Sequence, residues 1–273
     1  MSPRTRAVDR RVVRALVAHD LTAVRRTPGL VVPIAALPVV LLVIMPLAIA
    51  VAARDPSLEV GTYVDLVPER LAATVRGYPE EERLIILVLG YVMAPLFLIV
   101  PLMVSAVLAA DSFAGERDRG TLETMLHTPI RDRELYLAKL LAAFVPALAV
   151  AWLGFALFAV VANVASWGIM GRVFLPTARW LVLVGWVAPA SAALGLGLMV
   201  RLSIRARSAQ EAQQLGSAVV LPILVVAVAQ ASYLLLYPVA TSLAVGAGVW
   251  AVAIALNVRG ANRFTRDHMA TKV

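Results

Sequence analysis

The stretch Asp111–Leu141 reads DSFAGERDRGTLETMLHTPIRDRELYLAKLL, and it interrupts an otherwise apolar chain. It holds eleven of the 42 Asp, Glu, Lys and Arg residues, and long hydrophobic runs flank it on both sides. The signs nearly balance: Asp111, Glu116, Asp118, Glu123, Asp132 and Glu134 against Arg117, Arg119, Arg131, Arg133 and Lys139. The charge is also patterned. The preceding helix is expected to continue past Asp111 toward Glu116 and to break near Gly120, leaving room for a turn or two of helix over 121–126. Thr128-Pro129 then reads as a restart, because Thr is a good N-cap and Pro is favoured at the first helical position. Asp132 and Glu134 follow near the positive end of the new helix dipole. A short helix tied at both ends to long apolar helices is a mechanical lever, and balanced signs suit a docking surface that sets register. Leu122, Met125 and Leu126 are its expected buried contacts, with Glu116, Arg117, Arg119 and Glu123 as the orienting rim.

Composition sets the environment. Of 273 residues, 61% are hydrophobic and 15% charged, with a mean hydropathy of +0.84. Soluble domains carry about 25% charge. The apolar excess falls in blocks of roughly 20 residues or more, enough to cross about 30 Å of hydrocarbon. The reading is an all-α polytopic membrane protein with six transmembrane helices over 30–257: 30–53, 84–110, 136–165, 179–200, 215–236 and 239–257. A net charge of +8 would point to nucleic acid in a soluble chain. Here the basic residues flank spans, so orientation and lipid account for them and no nucleic acid is expected. With no Cys, disulfides and thiolate chemistry are excluded.

Before the first span, residues 1–29 are expected to carry a cytoplasmic amphipathic interfacial helix. Val8, Val12, Val13, Leu16, Val17 and Val24 share one side of a helical wheel, and Arg10, Arg11, Arg14 and Arg25 gather on the other at the membrane interface. Asp9 and Asp20 intrude on the apolar side. The polar residues ahead of the first apolar run, and its length, set it apart from a cleaved signal peptide. Lys and Arg number 19 on the side holding the N-terminus, the 111–139 loop, the 201–214 loop and the tail 258–273, against 6 on the other. The positive-inside rule therefore places both termini and the charged loop in the cytoplasm.

The spans contain Pro33, Pro38, Pro46, Pro95, Pro101, Pro146, Pro189 and Pro222, each able to kink its helix. Small residues at Ala188/Ala192, Ser191/Gly195 and Ala193/Gly197 allow close helix contact, within the subunit or across a dimer. In the 54–83 loop, Tyr63, Leu66, Val67 and Leu71 could form one short interfacial helix. Glu80-Glu81-Glu82 reads as a solvated helix start.

Catalytic chemistry is absent. No phosphate-binding loop, no zinc-protease motif and no nucleophile elbow occurs. His19, His127 and His268 lie far apart, so neither catalytic nor metal residues are assigned. No span holds a charge well inside it, which argues against a proton relay or a buried ion pathway built from carboxylates.

The run GERDRGTLETMLHTPI, with Lys139 downstream, resembles the motif of type-2 ABC transporter permeases, the exporter-type membrane subunits. Glu116, Gly120, Thr121, Leu122, Glu123, Leu126, Thr128, Pro129 and Lys139 fill the pattern. RARSAQEAQQLG, with Leu221-Pro222 beyond it, is similar to a second family feature. The resemblance covers essentially the whole chain, and sodium- and antibiotic-exporter-like members look closest. It implies a homo- or heterodimer of six-span subunits in the cell membrane, paired with two copies of a cytoplasmic ABC ATPase. It further implies that 111–139 is the ATPase-coupling segment, and that ATP and Mg are bound by the partner, with no cofactor in this chain. The minimal turn at Tyr237-Pro238 departs from relatives with large outer insertions. The 208–212 stretch lacks the glycine spacing of importer loops. The expected function is coupling ATP hydrolysis in a partner to export of a lipophilic or amphipathic substrate, or of an ion. Charge-free spans favour the former, since an ion would have only scattered polar groups such as Asn163, Gln230, Ser232 and Asn257. The alternative is a non-transporting membrane anchor that recruits a partner through the same loop.

Overall fold

The structure is a computed structural model and describes residues 36–55, 57–118, 120, 131–206, 208, 210–216 and 236–264. Among the described residues every regular element is helical. Helix α1 spans Ala36–Ala52. Two short helices follow, α2 (Val60–Asp65) and α3 (Glu69–Arg76). Helix α4 starts at Glu80, passes through a π-helical segment at Ile86–Val92 and ends at Asp118. Helix α5 is Asp132–Ala165, α6 is Ala178–Arg205 and α7 is Val239–Arg263. Among the described residues, four helices are long and apolar enough to cross a membrane: Glu80–Glu116, Asp132–Ala165, Ala178–Arg205 and Val239–Asn262. The expected first span is described only from residue 36. The expected fifth span, apart from residues 215, 216 and 236, lies outside the described residues, as do the N-terminal helix and Gln230 and Ser232.

Every long helix overruns its hydrophobic block. Helix α4 begins at Glu80 rather than 84, α6 ends at Arg205 rather than 200, and α7 runs to Arg263, past the 258 boundary expected for the tail. Hydropathy marks the hydrocarbon layer, whereas intrahelical hydrogen bonds continue through the interfaces. Contacts fix direction. Trp186 donates to the Leu243 carbonyl and Asn257 to that of Ala193, so α6 and α7 run parallel. Leu42 lies against Gly154 and Arg54 donates to the Ala165 carbonyl, so α1 and α5 also run parallel. The end carrying Asp118 and Asp132 is called the loop end below, and the opposite one the far end.

One apolar core fills each end. Trp180, Phe97, Phe155 and Phe158 form the far-end cluster, with ring centroids 5.4 Å apart for Phe155–Trp180 and 5.9 Å for Phe97–Trp180. Such pairs contribute about 0.5–1.5 kcal/mol beyond burial. The small residues of α6 serve packing within the chain: Gly195 faces Leu102 of α4, and Gly197 faces the Asn257 amide of α7. Close approach matters more here than apolarity, because lipid is as apolar as any side chain.

Among the described residues, three helices widen into π turns, at Val40–Ile44, Ile86–Val92 and Leu183–Val187. Each is followed within three residues by a proline, Pro46, Pro95 or Pro189. A proline cannot serve the carbonyl four residues back and crowds it. Those carbonyls belong to Leu42, Tyr91 and Gly185, all inside the widened turns, where the extra residue moves them clear. Indole N–H groups serve two π-segment carbonyls, Trp180 at Gly90 (2.9 Å) and Trp152 at Val184 (3.2 Å). Pro101 and Pro146 instead sit within regular α-helix.

The far-end loops differ from expectation. The single interfacial helix of the 54–83 loop is two helices, because Pro68 is extended (ψ 141°) and restarts the chain at Glu69. Leu71 is buried with Val64, Ala72 and Val75, while Tyr63 and Leu66 are exposed. Arg70 of α3 donates to the Tyr237 hydroxyl at 3.0 Å, holding the turn before α7. The solvated reading of Glu80-Glu81-Glu82 fails at Glu82, which is buried and receives both terminal nitrogens of Arg172. That hydrogen-bonded carboxylate raises the Arg172 pKa further above its ordinary value. Asn163 also changes role. Its amide donates to the Ala159 and Leu175 carbonyls, and its oxygen accepts from Phe174 and Leu175. All its capacity goes to its own helix and to pinning the 174–175 loop, which leaves none for an ion.

Candidate functional site

The loop end is built from the roots of the charged stretch. Helix α4 continues past Asp111 to Asp118, and Gly120 turns with φ +69°, a left-handed conformation that favours glycine. Both features match the sequence reading. The restart differs. Arg131 is extended (ψ 148°) and α5 begins at Asp132, after Thr128-Pro129 rather than at it. Glu134 supplies the reason: its carboxylate accepts the Arg131 N–H at 3.3 Å, capping the helix from its third residue.

Glu116 and Lys139 face each other across these roots. The Lys139 ammonium donates to a Glu116 carboxylate oxygen at 3.0 Å, with the two side chains only 4% and 11% exposed. The rim position expected for Glu116 is thereby corrected: its side chain lies between α4 and α5. Lys139 has its long stem covered at the same place.

One turn deeper, Ser203 of α6 inserts into the α4 backbone. Its hydroxyl accepts from the Phe113 and Ala114 N–H groups (3.1 and 3.0 Å) and donates to the Ala110 carbonyl at 2.7 Å. A fully buried hydroxyl thus satisfies two donors and one acceptor of a neighbouring helix. Phe264, just past α7, completes the contact, with its ring 5.4 Å from Phe113 and 5.8 Å from Tyr136. Gly260 admits this packing, since a Cβ there would lie 2.3 Å from the Tyr136 hydroxyl. Helices α4, α5, α6 and α7 are therefore fastened together directly beneath the loop.

Sequence reasoning missed Ser203 and Phe264, which carry no motif. It also passed over a legible signal at Ser208. There the hydroxyl accepts the Glu211 N–H at 3.1 Å and starts the helix at 210–216, in the Ser-x-x-Glu pattern of a capping box. Of the other expected coupling residues, Arg117 lies in α4 with its side chain outside the described residues. Arg119, Thr121, Leu122, Glu123, Met125, Leu126, Thr128 and Pro129 lie outside them altogether, as do Arg10, Arg11, Arg14 and Arg25. Among the described residues no three His, Asp or Glu side chains converge as a metal site would require.

The described helices thus form an apolar bundle whose hairpin roots are joined by a buried ion pair. A family model described as ABC-2 family transporter protein matches residues 15–248. The chain belongs to this family. No curated protein matches it. As an ABC-2 family member the chain is a membrane permease of the ABC transporter class. Permeases of this family are generally non-catalytic, normally work with an ATPase subunit and dimerise.

Proposed function

We propose that the chain is the membrane-spanning subunit of an ATP-driven exporter, and that its 111–139 segment couples the bundle to two copies of a cytoplasmic ATPase. The observation that carries this reading is the buried Glu116–Lys139 pair at the roots of that segment. A push on the loop reaches α4 and α5 together, and Ser203 passes it to α6. On this reading Glu116 and Lys139 transmit force, while Leu122, Met125, Leu126, Glu123, Arg117 and Arg119 meet the ATPase. Gly120, Thr121, Thr128 and Pro129 shape the loop. ATP and Mg belong to the partner.

The same geometry supports six spans with both termini in the cytoplasm of a cell-membrane protein. Parallel α6 and α7 require the chain between them to return across the bilayer. Helix α1 runs toward the far end and α7 toward the loop end, so the chain enters and leaves on the loop side. Residues 1–29 would lie on that surface as the basic amphipathic helix. The cargo is a lipophilic or amphipathic molecule or an ion, and the full engagement of Asn163 by Ala159, Phe174 and Leu175 favours the former.

The test is co-purification with a candidate ABC ATPase subunit, followed by reconstitution of the pair in liposomes. ATP-dependent movement of a lipophilic dye or lipid analogue is expected, and it should be lost on Glu123→Lys while the permease stays folded. ATP hydrolysis with no movement of any cargo would overturn the exporter reading and leave a membrane anchor.

A further inference from the structure

A cavity of about 400 Å³ opens at the far end, away from the coupling segment. Its polar lining is Tyr78, Tyr91, Arg172, Thr177 and Arg179, with no carboxylate among the described residues of its walls. Three features give it a chemical preference. First, it is rich in donors. Arg172 uses one N–H of each terminal nitrogen on Glu82, which leaves three of its five donors. Arg179 and Tyr91 share the same wall. The Thr177 oxygen accepts from the Trp180 N–H, so its own proton can be donated. Second, the backbone field has the same sign. Helices α4, α6 and α7 all run from far end to loop end, so three positive helix ends converge here. Glu82 is neutralised by Arg172, and Glu80 and Glu81 are exposed and do not line the cavity. Third, the depth is defined. Tyr78 precedes the first residue of α4, Arg172 and Arg179 flank the start of α6, and Val239 is the first residue of α7. The cavity thus sits at the far-end starts of the long apolar helices, and Ile86, Phe174, Leu175 and Val239 give it an apolar wall.

We propose that this cavity binds a phosphate group, held by Arg172 and Arg179 with the Tyr78, Tyr91 and Thr177 hydroxyls. Planar guanidiniums and hydroxyl donors around one space match the several oxygens of a phosphate. The apolar wall favours a phosphate that carries a hydrocarbon root, as a phospholipid does. The site goes beyond the exporter reading and does not depend on it, because binding is measured without ATPase or turnover.

The full chain is purified in a maltoside detergent, which contains no phosphate. Phosphatidylglycerol, diacylglycerol and inorganic phosphate are then added separately, with bound ligand followed by native mass spectrometry and dissociation constants by thermophoresis. The expected result is saturable binding of phosphatidylglycerol, competition by inorganic phosphate and no binding of diacylglycerol. Arg179→Gln should weaken phosphatidylglycerol at least tenfold, and so should the charge-compensated pair Arg172→Gln with Glu82→Gln, which strands no buried carboxylate. Binding of inorganic phosphate alone would keep the site and assign it a soluble phosphate. Equal binding of diacylglycerol and phosphatidylglycerol, no binding of either phosphate probe, or unchanged affinity in folded Arg179→Gln protein would overturn the proposal.

Discussion

Replacing Lys139 by Met keeps most of the stem volume but removes the charge facing Glu116. At 3.0 Å the attraction between unit charges is about 5.5 kcal/mol for an effective dielectric of about 20. Most of that offsets the cost of taking both groups out of water, so the pair itself adds little net stability. Removing one member differs, because it strands the other in a space 11% exposed or less. Each single variant, Lys139→Met or Glu116→Gln, is therefore expected to cost about 3–5 kcal/mol. The double variant should lie within about 2 kcal/mol of the parent, since no charge is left unpaired. The resulting interaction energy exceeds the roughly 0.5–3 kcal/mol usual for neighbouring residues. Equilibrium unfolding of the reconstituted chain in mixed micelles measures all four corners of the cycle. Single variants costing under about 1 kcal/mol, as an exposed pair would, or a double variant as damaging as the two singles summed, would refute the buried clasp. The transport arm separates stability from coupling. If the pair transmits force, the double variant should fold normally yet move less cargo per ATP hydrolysed by its partner.

Three further expectations follow from the geometry. Ser203→Ala removes the hydroxyl that serves the Phe113 and Ala114 N–H groups and should cost about 1–3 kcal/mol by the same unfolding assay. Gly260→Ala drives a Cβ to 2.3 Å from the Tyr136 hydroxyl and should cost about 1–3 kcal/mol, partly recovered by Tyr136→Phe, whereas Gly248→Ala, which meets nothing within 4 Å, should be neutral to within about 0.5 kcal/mol. Arg70→Ala releases the Tyr237 hydroxyl and ring at an exposed position and should cost no more than about 1 kcal/mol, but the turn before α7 should exchange amide hydrogens faster.

Fold class was legible because a lipid environment enforces long apolar helices. Helix ends were less legible, since Glu80 and Arg205 lie outside the hydrocarbon that hydropathy detects. The Gly120 break could be read locally, but the restart could not. Thr128-Pro129 offered a better cap by composition than Arg131, yet Glu134 reaches back to the Arg131 N–H and moves the start. Glu116 and Lys139 were both singled out, but their pairing over 23 positions is tertiary and reverses the exposure expected of Glu116. Ser203 was invisible because a single hydroxyl in an apolar helix looks the same whether it faces its own backbone, like Ser191, or another helix. The partners of Asn163 are backbone groups, which no side-chain pattern announces.

The π turns bear on how this chain tolerates changes in length. A wide turn holds one residue more than the α-helical turn it replaces, and one residue is about 100° of rotation. Deleting one residue from Ile86–Val92 lets the helix close into regular α form, and because the wide turn already absorbs that residue, both flanks keep nearly their present phase. Glu82 would stay facing Arg172 and Tyr78 its present wall, and the Glu116–Lys139 contact beyond Pro95 and Pro101 would hold as well. The same deletion between Pro101 and Asp111, in regular α-helix, turns one flank by about 100° against the other and should disrupt the loop end or the far end. Homologous chains could in this way lose a residue at a wide turn while both ends of the bundle hold their register.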